Sequence, residues 1–208
     1  MSTFIKHQES YSRGELLLRT FFGTIYIIIP HFFLLFFVSI GAMVLSFLAF
    51  WVVLFTGKYP RGWWDFMVNL FKWTLRINAR MWNLADGYPA FGLNGTDNNT
   101  NFAMQYPEKL SQGLLIVRVL FGGLYVGIPH GLCLFFLFIA ATFVNFLSFW
   151  IILFTGKLPK GLHDFQTGVL RWSLRVSAYL YFLTDTYPPF SLEEDGPTNQ
   201  PLDQGLNS

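Results

Sequence analysis

The chain has 208 residues, of which 53% are hydrophobic, 20% aromatic and only 12% charged, with a net charge of +2 and a mean hydropathy of +0.42. Soluble domains carry roughly a quarter of their residues charged, so an ordinary globule is excluded, as are disordered, collagen-like and disulfide-stapled chains. The 25 Phe, 7 Trp and 9 Tyr suit side chains facing hydrocarbon or a membrane interface, and the dispersed Lys and Arg exclude a nucleic-acid footprint.

In chain order, residues 1–13 form a polar N-terminus without the apolar core of a secretory signal. A first apolar run, 21–55, contains no Asp, Glu, Lys or Arg. A bilayer-crossing helix needs about 20 residues, so this run is too long for one upright span and just long enough for two short ones. Two readings stand: a transmembrane helical hairpin, or a single kinked span bent at Pro30. Charge favours the hairpin, because Arg19 precedes the run while Lys58 and Arg61 follow it, and basic flanks belong on the cytoplasmic side. The crossings are then even in number, or the run dips into one leaflet and returns. Gly57 in Thr56-Gly57-Lys58 predicts a tight turn out of the bilayer, with lipid phosphate as the matching anion. Residues 63–84 follow as an amphipathic helix whose Lys72, Arg76 and Arg80 share one stripe, predicting an interfacial helix with its cations reaching headgroups. Asp86 predicts an Asx-turn before Tyr88-Pro89.

Everything then repeats at an offset of 99 residues without a gap. Arg19, Gly23, Tyr26, Pro30 and His31 recur as Arg118, Gly122, Tyr125, Pro129 and His130. Lys58 and Asp86 recur as Lys157 and Asp185, and Gly57 as Gly156. The second apolar run is 120–154, and the second amphipathic helix, 162–183, carries Arg171 and Arg175 after the turn cation Lys160. The predicted organisation is a polar N-terminus (1–13), membrane repeat 1 (14–93), a polar linker (94–105), membrane repeat 2 (106–192) and a disordered tail (193–208). The fold class is all-α integral membrane, with both modules in the same orientation.

The residues that carry the repeat also carry a resemblance. Ile-Pro-His, Leu-Phe-Thr-Gly-Lys-x-Pro-x-Gly, Arg-Trp-Ser-Leu-Arg-Val-Ser-Ala-Tyr and Thr-Asp-x-Tyr-Pro-Pro-Phe-Ser-Leu resemble a bacterial membrane family called domain of unknown function 4389. The second copy matches most closely, and the first departs at 78–80 and 86–90. The resemblance implies a multi-pass protein of the bacterial inner membrane, and it brings no reaction, substrate or catalytic residue.

Chemical motifs are sparse. His31 and His130 are equivalent and suit interfacial structural roles, since no third metal ligand is evident. Cys133 has Leu34 as its counterpart. Thr74, Asn78, Ser173 and Ser177 make a small-polar stripe suited to helix packing. No nucleophile–base set, metal or cofactor is expected, and neither is enzymatic activity. The expected partners are the bilayer and its anionic phospholipids, bound by Arg19, Lys58, Arg61, Lys72, Arg76, Arg80, Arg118, Lys157, Lys160, Arg171 and Arg175, with room for a membrane-protein partner. Turns are assigned to Pro30, Gly57, Asp86, Pro129, Gly156 and Asp185. Two functions fit: a non-enzymatic scaffold, accessory subunit or membrane-shaping protein, or a carrier of a lipid or other apolar molecule. The termini are expected in the cytoplasm.

Overall fold

The computed structural model describes residues 1–194, so the predicted disordered tail falls outside the described residues apart from its first two. The first helix, α1 (Arg13–Gly23), starts where the Ser12 hydroxyl accepts the Glu15 N–H. It runs through a widened π turn at Thr24–Ile28 directly into α2 (Ile29–Thr56), giving one unbroken helix of 44 residues, Arg13–Thr56. The second copy repeats this with α4 (Gln112–Gly122), a π turn at Gly123–Gly127 and α5 (Ile128–Thr155).

The expected hairpin is therefore absent. Ser39-Ile-Gly41-Ala has a single glycine and Phe138-Ile-Ala140-Ala no turn residue with which to reverse the chain, and a continuous helix pairs the mid-run backbone groups within itself where a turn there would not. Both long helices have the length and composition to cross a membrane. Pro30 and Pro129 sit in the first turn of α2 and α5, immediately after the π turns. A proline there removes one N–H without ending the helix, because the widened turn makes room for its ring. Each long helix stops at a glycine instead: Gly57 and Gly156 take left-handed φ of 69° and return their N–H to Val53 and Ile152.

A tight turn leads into α3 (Arg61–Met81), and in the second copy α6 (Lys160–Leu180). The first long helix packs antiparallel on α3, with Met81 at Gly23, Trp73 at His31 and Phe66 at Gly41. Its buried positions, among them Leu16, Gly23, Ile27, His31, Ala42 and Val53, recur every three or four residues and form one stripe. Large apolar side chains on the rest of its circumference stay exposed from residue 17 to residue 55.

The expectation of α3 and α6 as surface helices is corrected here. They form the middle layer, buried on the apolar side by Met67, Leu70 and Trp73 and on the cationic side at Arg76 and Arg80. The covering layer is polar. β1 (Ser2–Ile5) pairs antiparallel with β2 (Thr100–Ala103), Ser2 opposite Ala103, so the linker contributes a strand. Phe102 inserts against Phe71 halfway along α3, with ring centres 5.8 Å apart.

The copies interlock head to tail. The Tyr11 N–H donates to Gly156 O at 2.8 Å, and the Leu110 N–H donates to Gly57 O at 2.7 Å, so the start of each long helix adjoins the end of the other. The two long helices are thus antiparallel.

Candidate functional site

In the first copy, the Trp73 indole N–H donates to His31 Nδ1 at 2.8 Å, and Phe91 stacks on the imidazole at 3.9 Å between centres. The second copy reproduces both contacts with Trp172, His130 and Phe190, at 2.9 and 3.9 Å. Accepting at Nδ1 fixes the neutral tautomer with its proton on Nε2. In the second copy Nε2 lies 3.1 Å from the Tyr187 hydroxyl, which in turn donates to the Tyr125 carbonyl. Tyr88 donates likewise to Tyr26 O at 3.0 Å. Tyr26 and Tyr125 lie four residues before Pro30 and Pro129, where a helix would otherwise draw the proline N–H. The tyrosines thus supply the donor that the prolines lack. Both histidines are consumed in packing, and among the described residues no group of three His, Cys, Asp or Glu is placed to hold a metal.

The arginines hold loops. Arg19 is buried and donates to Ala85 O, Asn83 Oδ1 and Asp86 Oδ1, the last at 3.1 Å. Asp86 Oδ2 accepts the Ser12 N–H at 2.7 Å, tying the end of copy one's loop to the start of α1. Arg118 repeats this with Tyr179 O, Thr184 O and Asp185, and Asp185 accepts the Ser111 N–H at 2.6 Å. Arg76 is caged by the carbonyls of Ala90, Gly92 and Gly95, and burial lowers its pKa. Arg80 closes a bidentate pair on Asp97, both side chains nearly inaccessible at 3% and 6% exposure. Burial alone would raise the Asp97 carboxyl, but bonds from Arg80, the Thr100 hydroxyl and the Asn99 N–H hold it below the ordinary carboxylate value. Arg171 donates to Leu192 O and Thr3 O, and Arg175 to Ser191 O.

Six of the eleven cations assigned to headgroups are accordingly turned into the protein and bonded to its own oxygens: Arg19, Arg76, Arg80, Arg118, Arg171 and Arg175. Three neighbouring carbonyls hold a guanidinium more tightly than a mobile headgroup does, because the loop is already in place. Lys58, Arg61, Lys157 and Lys160 remain exposed, with Arg61 and Lys160 paired to Asp65 and Asp164, and Lys72 is half-buried. The stripe of Thr74, Asn78, Ser173 and Ser177 lines a cavity of about 300 Å³ between α2, α3 and α6.

Asp97, Tyr88, Tyr187, Phe91 and Phe190 carry much of this arrangement; the last four belong to the repeated Asp-x-Tyr-Pro-x-Phe motif, to which the sequence assigns no role beyond the Asp turn, and Asp97 lies outside it. The equal spacing of Tyr88 and Phe91 from Pro30, and of Tyr187 and Phe190 from Pro129, is the available signal for those four, and Asp97, in the unrepeated linker, offers none.

The geometry repeats copy for copy, and so does the family assignment: the family described as Domain of unknown function (DUF4389) matches at residues 15–92 and again at 118–191. The chain belongs to it, as two tandem copies. Neither a curated protein nor a solved structure matches the chain. The His–Trp–Phe contacts and the Arg19–Asp86 and Arg118–Asp185 pairs lie within the family's boundaries, whereas Asp97 and Gly95 in the linker, Ser12 and Ser111 before the long helices, and Thr3 and Leu192 at Arg171 lie outside them.

Proposed function

We propose that this protein is a non-enzymatic membrane protein of the cell membrane, acting as a scaffold, accessory subunit or membrane-shaping element that binds anionic lipid, with its termini on the cytoplasmic side. One observation carries the reading: two helices of 44 residues, whose most apolar stretches are only 11% buried, leave Phe, Leu and Ile exposed along their whole length. Exposed apolar surface on this scale is not compatible with water. Lys58 and Lys157, exposed at the helix ends, are the headgroup contacts in this reading, while the buried arginines serve folding. The cavity between α2, α3 and α6 supports the second reading, a carrier of an apolar molecule; its volume is at the lower end for small-molecule sites.

The test is flotation with vesicles of phosphatidylcholine, with and without phosphatidylglycerol. Full-length protein should float with both, more completely with the anionic lipid, and Lys58→Glu with Lys157→Glu should lose that preference. Protein that stays at the bottom of the gradient with either vesicle would overturn the reading.

A further inference from the structure

Resting on that reading, we propose that the protein enters the bilayer from one side only, with both long helices lying in the plane of a single anionic leaflet instead of crossing it.

Three observations point there. The exposed apolar stripe from residue 17 to residue 55 is about 57 Å long at 1.5 Å per residue. A hydrocarbon core is about 30 Å thick, so a span would need a tilt of about 60°, beyond the roughly 40° reached by membrane helices. The second helix shows the same stripe from 116 to 154.

The polar layer decides which surface is wet. The buried stripe of each long helix faces the middle layer, so the exposed stripe faces away from it. On the other side of α3, halfway along its length, lie Phe102 of the small sheet and the loop carbonyls around Arg76. Exposed Lys6, Asn98, Asn101 and Gln105 belong to that covering layer. Crossing helices would carry these groups into the hydrocarbon, where a Lys side chain costs on the order of 3 kcal/mol and unsatisfied backbone more. With the helices in plane, the same groups face water and the apolar stripe faces acyl chains.

Charge agrees. Arg13 and Lys157 lie at one end of the antiparallel pair, Lys58 and Lys109 at the other, all exposed. Cations at both ends match one anionic surface touched at both ends. The pseudo-twofold relating the copies then stands along the membrane normal, so modules whose helices run antiparallel still share one orientation toward the bilayer.

The experiment uses full-length protein with Cys133→Ser, bound from outside to preformed vesicles of phosphatidylcholine and phosphatidylglycerol. Single cysteines are placed at exposed positions, Ser10→Cys and Lys58→Cys for access, and Phe21→Cys, Phe36→Cys and Phe55→Cys for depth. A membrane-impermeant thiol reagent should modify positions 10 and 58 completely and equally, and quenching by brominated lipids should place 21, 36 and 55 at one shallow depth. Protection of either position 10 or position 58, or a probe at 36 near the bilayer centre with 21 and 55 shallow, would show crossing helices and overturn the inference while leaving membrane binding intact. Failure of all variants to float would instead remove the function proposed above, and this inference with it.

Discussion

Position 80 and its counterpart 99 residues later separate the two copies. At the C-terminal end of α3, Arg80 grips Asp97, and with Arg76 it wraps the linker over the helix. In α6 the equivalent residue is Tyr179, whose hydroxyl lies 2.9 Å from that of Tyr125 and whose ring lies under the Arg118 guanidinium at 4.4 Å. The His–Trp bond, the Phe stack, the proline-compensating Tyr and the Arg–Asp–Ser tie are meanwhile common to both. What a copy needs for its own long helix to seat on its own short one is duplicated, and what joins one copy to the next is not. The linker exists once, so its clamp exists once, and β2, which it carries, pairs with β1 to cover both short helices.

The largest expected effect breaks that difference. Asp97→Ala leaves Arg80 charged, buried and unpaired, and should cost about 3–5 kcal/mol in denaturant unfolding of the detergent-solubilised protein. A loss below 1 kcal/mol would mean that the strand and the Arg76 contact to Gly95 hold the linker without the ion pair.

The next prediction probes what the copies share. Trp73→Phe and Trp172→Phe each remove the indole donor to a buried histidine and should each cost about 1–3 kcal/mol. Because the two bonds differ by only 0.1 Å, the losses should be equal; a clear inequality would show that matched geometry does not mean matched energetics.

Tyr88→Phe and Tyr187→Phe sharpen the comparison further. Both leave a carbonyl without its donor, at about 1 kcal/mol, but Tyr187 also meets His130 Nε2. The second copy should therefore lose more, measured by the same unfolding curves, and equal losses would remove that extra bond from the account.

The smallest effect is a pH dependence. Burial lowers the His163 pKa below its ordinary 6.5, more than the neighbouring Asp164 raises it, and His7 stacks edge-on at 5.0 Å. Between the folded value and about 6.5, the unfolded chain takes up a proton that the native protein does not. Stability should thus fall as pH drops below about 6.5, and His163→Gln should flatten that slope. An unchanged slope would place the titration elsewhere. The Asp97 carboxyl acts at lower pH: its depressed value contributes stability that is complete above about 3.8 and is lost as pH falls through the folded value.

Much of this was legible in the residues. The duplication, the two uncharged runs and the glycine stops could be read directly, since hydrophobic runs and left-handed turns are local properties of the chain. The fate of Arg76 and Arg80 could not. A cationic stripe at helical spacing looks the same whether it meets phosphate or a carbonyl cage, and the cage comes from residues 14 to 19 positions further on, where the end of the first repeat passes into the polar linker. The step from basic flanks to a hairpin failed for a different reason. Basic residues at both ends of a run argue for an even number of crossings and hence a hairpin, whereas mid-run the first copy has one glycine and the second no turn residue with which to build one.

Sequence alone settled that this is a doubled, mostly helical, strongly apolar chain of one family, because composition, period and repetition need no partner to be read. Tertiary packing decided which side of each helix is inside, that the long helices are continuous and antiparallel, and that most of the arginines serve loops. Those outcomes depend on groups far apart in the chain competing for the same buried donors and acceptors, and that competition is resolved only when the three layers are stacked.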